Sequence, residues 1–232
     1  AGKDTQAGNL ILTDGRLLAF PVRSLQAPFL WVTCPLVVAR WGRDRRALGL
    51  PESTLPEIPV EHLAAFAGPL PDENGLVLED HYFGKDQVAW ANQKVQNLAN
   101  QWARLLPAGE SETRKAFGQK LALIPDPTFQ DLVRRGTPIN ARIQLTGGKT
   151  TDRWTDPDTG NEERGNLWYE ETLPPDCLFS VLTTSRRRQE TDITALRELL
   201  QDEHHCAIQI GGNETVGQGL CWWRPAENEN GN

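Results

Sequence analysis

The sequence contains no methionine, only two tyrosines, and four cysteines of which no two form a CxxC pair. Cys34, Cys177, Cys206 and Cys221 are far apart, which excludes a zinc ribbon and a CxxC redox centre. His204-His205-Cys206 comes near Cys221 in sequence but lacks the second short-spaced ligand pair of a structural zinc, so the thiols read as reduced and mostly buried. Also missing is any apolar run of the ~20 residues a bilayer span needs. The longest, 29–39, is interrupted by Thr33 and Pro35, and no secretion signal is present, so a cytoplasmic location without membrane contact is expected. A chain of 232 residues that starts on Ala1 without one methionine is expected to lack an N-terminal segment or to be part of a longer product. The last deficit is basic charge: 31 acidic residues outnumber 24 basic ones, for a net charge of −7, which weighs against a free-standing nucleic-acid binder.

What is present is the make-up of one globular domain, 38% hydrophobic and 24% charged. The arginines are gathered: Arg40, Arg43, Arg45 and Arg46, then Arg134 and Arg135, then Arg186, Arg187 and Arg188. Such clusters are either solvated faces or anion-binding surfaces. Residues 10–22 read as strand broken at Asp14-Gly15, and 29–33 as a buried strand. Pro35 suits the first helical position, opening a helix to about Arg46. Residues 49–75 carry Pro51, Pro56, Pro59, Pro69 and Pro71 with Gly68 and Gly75, a connector expected to hold one short helix over 61–67. Val88, Val95, Leu98, Trp102 and Leu105 form one helical stripe, and Phe129, Leu132 and Val133 another.

The period then changes to two. In residues 139–145 odd positions are apolar and even positions polar, which predicts a half-buried strand. A polar stretch with strong turn chemistry follows, and apolar residues resume at Leu167-Trp168-Tyr169, so 146–166 is expected to form a projecting hairpin. A strand over 178–183, a helix capped by Asp192 and two strands over 206–210 and 220–223 complete the chain. Between the last two lies Gly211-Gly212-Asn213-Glu214-Thr215-Val216-Gly217-Gln218-Gly219. Its glycines permit positive φ and close backbone approach, so it is either a tight turn or a loop that wraps a phosphate. It matches neither the GxGxxG dinucleotide pattern nor a nucleotide-triphosphate loop. His62 and His81 are isolated, no GxSxG is present, and Asp72-Glu73 and Glu79-Asp80-His81 read as surface acids before they read as metal ligands.

Several segments resemble one family. Phe20-Pro21-Val22-Arg23-Ser24 and 29–37 come first. Ala141-Arg142-Ile143 ahead of Leu167-Trp168-Tyr169-Glu170-Glu171, then Leu173-Pro174-Pro175-Asp176, then 209–219 follow in the same order. Together they are similar to the RAMP-superfamily backbone proteins of type III-B CRISPR effectors, the family of the fourth Cmr subunit, over about residues 10–220. The resemblance implies an α+β fold: a single modified ferredoxin-like (RRM-like) domain over 1–232, truncated in front, with an antiparallel sheet. It further implies a helical insertion at 49–137 and a β-hairpin thumb at 146–166. Its expected partners are guide RNA, target RNA, copies of itself in a head-to-tail filament and other type III effector subunits, with no membrane.

The RNA-binding residues so implied are Gly211, Gly212, Gly217 and Gly219 in the loop, Arg23 in the first motif, and Lys149, Arg153 and Trp154 in the thumb, with Arg164 beside them. Cations serve phosphates and an aromatic serves stacking or wedging. The family's catalytic aspartate lies in a front segment that nothing here matches, and neither Asp4 nor Asp14 takes its role. The chain as it stands is therefore expected to lack intrinsic ribonuclease activity and to need no cofactor. A divalent metal for target cleavage is expected only with the front segment present. Two other readings stay open: a target-RNA endoribonuclease whose aspartate precedes Ala1, and an RRM-like protein-interaction domain that touches no RNA.

Overall fold

The computed structural model describes residues 8–50, 55–69, 75–106, 111–143, 145, 153–155, 157–160, 162–164, 167–186, 190–201 and 207–225. The chain opens with β1 (Leu10–Leu12), β2 (Arg16–Val22), β3 (Leu30–Thr33) and α1 (Pro35–Ala47). There follow β4 (Ala64–Phe66), β5 (Leu76–Leu78), β6 (His81–Phe83), β7 (Val88–Ala89), α2 (Gln93–Ala103) and α3 (Ser111–Gln119). After β8 (Leu121–Leu123) and α4 (Asp126–Arg135) come β9 (Ile139–Ile143), β10 (Arg153–Thr155), β11 (Glu162–Arg164) and β12 (Leu167–Glu171). The remainder is β13 (Leu178–Ser180), β14 (Thr183–Ser185), α5 (Glu190–Gln201), β15 (Ala207–Gln209) and β16 (Leu220–Trp222).

The core is a six-stranded sheet in the order β13-β2-β3-β8-β4-β7. Its β13–β2, β2–β3 and β4–β8 pairs are antiparallel, as expected of this α+β fold, while β3–β8 and β4–β7 run parallel. All four residues of β3 are buried, so the centre of the sheet is covered on both faces. Phe117 of α3 lies 4.6 Å from the Trp31 ring, and Trp41 of α1 meets Trp102 of α2 edge-on at 5.6 Å. The Trp31 indole N–H donates to the Asp176 carbonyl at 2.9 Å, pinning the segment before β13.

Helix ends are closed by side chains. Pro35 stands at the first position of α1, and the Leu36 N–H donates to Asp126 of α4 at 3.0 Å. The Asn92 side chain accepts from the N–H groups of Lys94 and Val95, both at 3.1 Å, and starts α2. Burial pushes the thiols of Cys34 and Cys177 up to about 12, which makes them neutral core groups. Cys206 with His204 and His205 lies outside the described residues.

Three expectations need correction. The helix expected over 61–67 is instead β4, because Ala64, Ala65 and Phe66 sit in the sheet interior between β8 and β7, where strand pairing satisfies their backbone. The stripe from Val88 to Leu105 is not one helix: Val88 belongs to β7, and α2 starts only after Asn92. The 49–137 stretch, expected as a helical insertion, does supply α2, α3 and α4. It also supplies β4, β7 and β8, three strands of the central sheet, so it is woven into the core.

Trp102 is fully buried at the meeting point of α1 and α2. Trp102→Ala is expected to lower unfolding free energy by about 3–5 kcal/mol. The measurement is chemical denaturation followed by far-ultraviolet circular dichroism.

Candidate nucleic-acid interface

Three two-stranded ribbons stand apart from the central sheet in the second half of the chain: β9–β12, β10–β11 and β15–β16. Ribbon β10–β11 falls within the expected thumb hairpin. Arg153 pairs with Arg164 and Trp154 with Glu163, and the turn residues 157–160 are exposed. Arg153 and Trp154 thus share one strand, while Lys149 lies outside the described residues, as does Asp4.

Ribbon β9–β12 flanks the expected thumb in sequence, with Leu167 opposite Ile143 and Glu171 opposite Ile139. Residues facing each other across an antiparallel pair share a face, so Ile139, Ala141, Ile143, Leu167 and Tyr169 form one side, with Glu171 at its end. That side is open to solvent: Ile139 is 68% exposed and Tyr169 69%. The alternation was expected to bury these odd positions. The ribbon is not part of the central sheet, and on its even side only Arg142 and Glu170 are half-buried, with Glu170 receiving Asn213 from another part of the chain.

On that polar side three donors converge on one carboxylate. The Trp168 indole N–H donates to Glu170 Oε1 at 3.0 Å, and Arg142 ion-pairs with Glu170 Oε2 along the ribbon diagonal. Asn213 Nδ2–H, from the glycine-rich hairpin, donates to the same Oε2 at 3.2 Å. Donation from Trp168 first, then from Arg142 and Asn213, holds the Glu170 carboxyl below the usual range, although desolvation pushes the other way. Sequence reasoning passed over Glu170, Arg142 and Asn213 as site residues. The signal was available in that all three lie inside the motifs that carry the family resemblance.

The glycine-rich hairpin joins β15 to β16, with Gln209 paired to Leu220. Gly211, Asn213, Gly217 and Gly219 have φ of 85°, 63°, 78° and 80°, so the loop is a succession of left-handed corners around one 3-10 turn, Glu214–Val216. Gly219 is also crowded: a Cβ there would lie 2.3 Å from the Ile210 carbonyl oxygen. Gly212 differs, having no positive φ and nothing within 4 Å of its Cβ position. The tight-turn reading therefore explains Gly211, Gly217 and Gly219 and does not explain Gly212, which leaves bare backbone facing solvent.

Arg23 is elsewhere in the fold, directly after β2. It pairs with Glu79 at 3.1 Å while 84% of its side chain is exposed. Other arginines are used inside the chain: Arg16 and Asp44 form a two-oxygen pair at 2.5 and 2.6 Å, and of the first cluster Arg40 donates to the Leu17 carbonyl and Arg45 lies over the Trp41 ring.

Asp80, His81 and Asp131 bring their donor atoms within 4.8 Å of one another, a spacing that suits a metal ion. Arg135, however, approaches both carboxylates, Asp131 at 3.0 Å and Asp80 at 3.7 Å. The guanidinium already offsets part of the charge a cation would meet, and the cluster ties β6 to α4.

A model of the RAMP superfamily matches residues 2–222. The chain belongs to the RAMP superfamily. This RAMP chain is 33% identical over 220 residues to the CRISPR system Cmr endoribonuclease Cmr4 of Pyrococcus furiosus, covering 93% of this chain and 68% of that protein. A crystal structure of oligomeric Cmr4 from P. furiosus superposes with a TM-score of 0.66 at 26% identity, over 94% of this chain and 73% of that one. A cryo-EM structure of the type III-B Cmr-beta complex bound to cognate target RNA shares the fold, with a TM-score of 0.60 at 16% identity over 97% of this chain and 72% of that one. No helix of the described residues is long and apolar enough to cross a membrane.

The two kinds of glycine separate by substitution. Gly219→Ala is expected to destabilise the chain by about 1–3 kcal/mol, through the Ile210 contact and the left-handed backbone. Gly212→Ala is expected to stay within about 0.5 kcal/mol of wild type. Thermal unfolding of the two variants side by side checks both values.

Proposed function

We infer that this chain is an RNA-binding backbone subunit of a type III-B CRISPR effector, working with other Cmr subunits in antiviral defence. The observation that carries the inference is the 33% identity to Cmr4 across 93% of the chain. The geometry supports it. A two-stranded hairpin with an exposed turn bears Arg153 and Trp154 on one strand, and a glycine loop with open backbone at Gly212 is tied through Asn213 to Glu170 of the flanking ribbon β9–β12. Backbone N–H groups and arginines suit phosphates, and a tryptophan on a projecting hairpin suits stacking on an exposed base. In this reading the guide runs along the glycine-rich loop and Arg23, and the target strand lies near the thumb.

The test is RNA binding across a salt series, with guide RNA alone and with a guide–target duplex. Removing residues 147–164 and closing the gap with a short turn is expected to leave the domain folded and to weaken duplex binding. It should also flatten the logarithmic salt dependence by roughly 2 to 3, about one per lost phosphate contact. Trp154→Ala is expected to change the fluorescence of a base analogue at the kink more than it changes affinity. Unchanged duplex binding after the deletion removes the thumb assignment.

Self-association is the finer part of the same reading. Besides Ile139 and Tyr169 on β9–β12, the glycine-rich hairpin exposes Leu220 at 66% and Trp222 at 61%. Two separate uncovered apolar faces on one chain suit a head-to-tail contact, which can repeat without closing. The P. furiosus crystal form is described as oligomeric. Tyr169→Glu and Leu220→Glu, made separately, are each expected to shift the sedimentation of RNA-loaded chain toward monomer. Assemblies of unchanged size would exclude these faces.

Cleavage is a second reading, favoured by the endoribonuclease in the name of the P. furiosus relative. It brings with it the divalent ion expected for target cutting. The cluster of Asp80, His81 and Asp131 is already engaged by Arg135, and Asp14 is an exposed loop residue, so neither receives the cutting role.

A further inference from the structure

Glu170 joins two parts of the chain that are 43 residues apart in sequence. On one side it belongs to the polar face of β9–β12, where Trp168 donates to it and Arg142 ion-pairs with it. On the other it receives Asn213, the left-handed corner of the glycine-rich loop, with φ of 63°. Asn213 is itself held within the loop. Its Nδ2 also donates to Gln218 Oε1 at 3.1 Å, its carbonyl accepts from the Gln218 N–H at 3.2 Å, and the Gln218 carbonyl accepts from Gln209 Nε2 at 2.8 Å. The contact therefore reaches a braced loop rather than a loose side chain. The ribbon side is equally braced, because the Arg142 pair and the Trp168 bond fix the carboxylate before Asn213 arrives.

We propose that Glu170 is a latch that fixes the glycine-rich loop against the ribbon flanking the thumb, so that both present one continuous surface to RNA. The proposal rests on the RNA-binding reading and adds a positioning residue that touches no RNA itself. Backbone groups bind a phosphate well only when their direction is set in advance, since ordering a loop at the moment of binding costs affinity. Glycines at 211, 212, 217 and 219 give this loop the freedom to move, and a tie at its Asn213 corner offsets that freedom.

The test reverses the donor and the acceptor. Asn213→Asp keeps a residue that tolerates the left-handed backbone but sets a second carboxylate against Glu170. Glu170→Gln combined with Asn213→Asp restores the complement at the wild-type net charge. The amide then stands at position 170 and donates to the carboxylate at position 213, which also takes over the pairing with Arg142. Amide hydrogen exchange over 211–219 in the RNA-free chain reads the latch, and a fluorescein-labelled single-stranded RNA reads its consequence. Asn213→Asp is expected to speed loop exchange and weaken RNA binding, each by about tenfold, the factor one hydrogen bond to a charged group carries. The melting midpoint should stay near wild type, and the double variant should recover both readings. Unchanged loop exchange in Asn213→Asp, or no recovery in the double variant, overturns the latch. Faster exchange with unchanged RNA affinity overturns its positioning role. Failure of the wild-type chain to bind RNA at all would instead count against the functional reading, with loop exchange still deciding the latch.

Discussion

Burial of β3 on both faces and both edges is the constraint from which the rest of the fold follows. Leu30, Trp31, Val32 and Thr33 are all inside, and a strand so placed can leave no backbone donor unpaired. One edge is supplied locally by β2, and the other comes from β8, some ninety residues later in the chain. The chain between must leave β3, add β4 and β7 on the far side of β8, cover the sheet and return. This is why α1, α2 and α3 carry the large buried aromatics Trp41, Trp102 and Phe117, and why 49–137 cannot be lifted out as an appendage.

Apolar burial is unevenly divided as a result. The buried core runs from Leu18 to Leu132, whereas β9–β12 and β15–β16 keep Ile139, Tyr169, Leu220 and Trp222 in solvent. A ribbon of two strands cannot bury an apolar face by itself. Such faces are a liability in an isolated chain and useful in one built to sit in an assembly. The same division appears in the charges. Arginines near the core are spent on Asp44, on the Leu17 carbonyl and on the Trp41 ring, while Arg23 keeps most of its side chain in solvent. The acidic net charge is therefore compatible with an RNA-binding role: total charge averages over surfaces that do different work.

The glycine-rich loop shows how one motif can serve two physical demands. Gly211, Gly217 and Gly219 answer backbone geometry, and Gly219 in addition leaves no room for a side chain. Gly212 answers neither demand and exposes bare backbone at the point where the loop is anchored by Asn213 and Glu170. The spacing of glycines does not tell these roles apart. The φ values and the surrounding atoms do.

Much of this was legible in the sequence because it depends on local chemistry. Pro35 opens α1, the Val95–Leu98–Trp102 stripe marks α2, Phe129 and Leu132 mark α4, and the turn chemistry around Asp158-Thr159-Gly160 lies between the paired strands β10 and β11. Ordered motifs alone pointed to the RAMP family. Other features were invisible for a stated reason. Ala64-Ala65-Phe66 has no strand signature of its own, and only its place between β8 and β7 makes it a strand. The alternation over 139–143 shows two unlike faces, but which face is covered depends on what lies above it, and here the polar one is engaged. The sequence by itself determined most of the element types and the family. Only the tertiary structure decided that Glu170 and Asn213 meet and that Gly212 is open, because contacts across 43 residues of chain depend on packing, which no local pattern records.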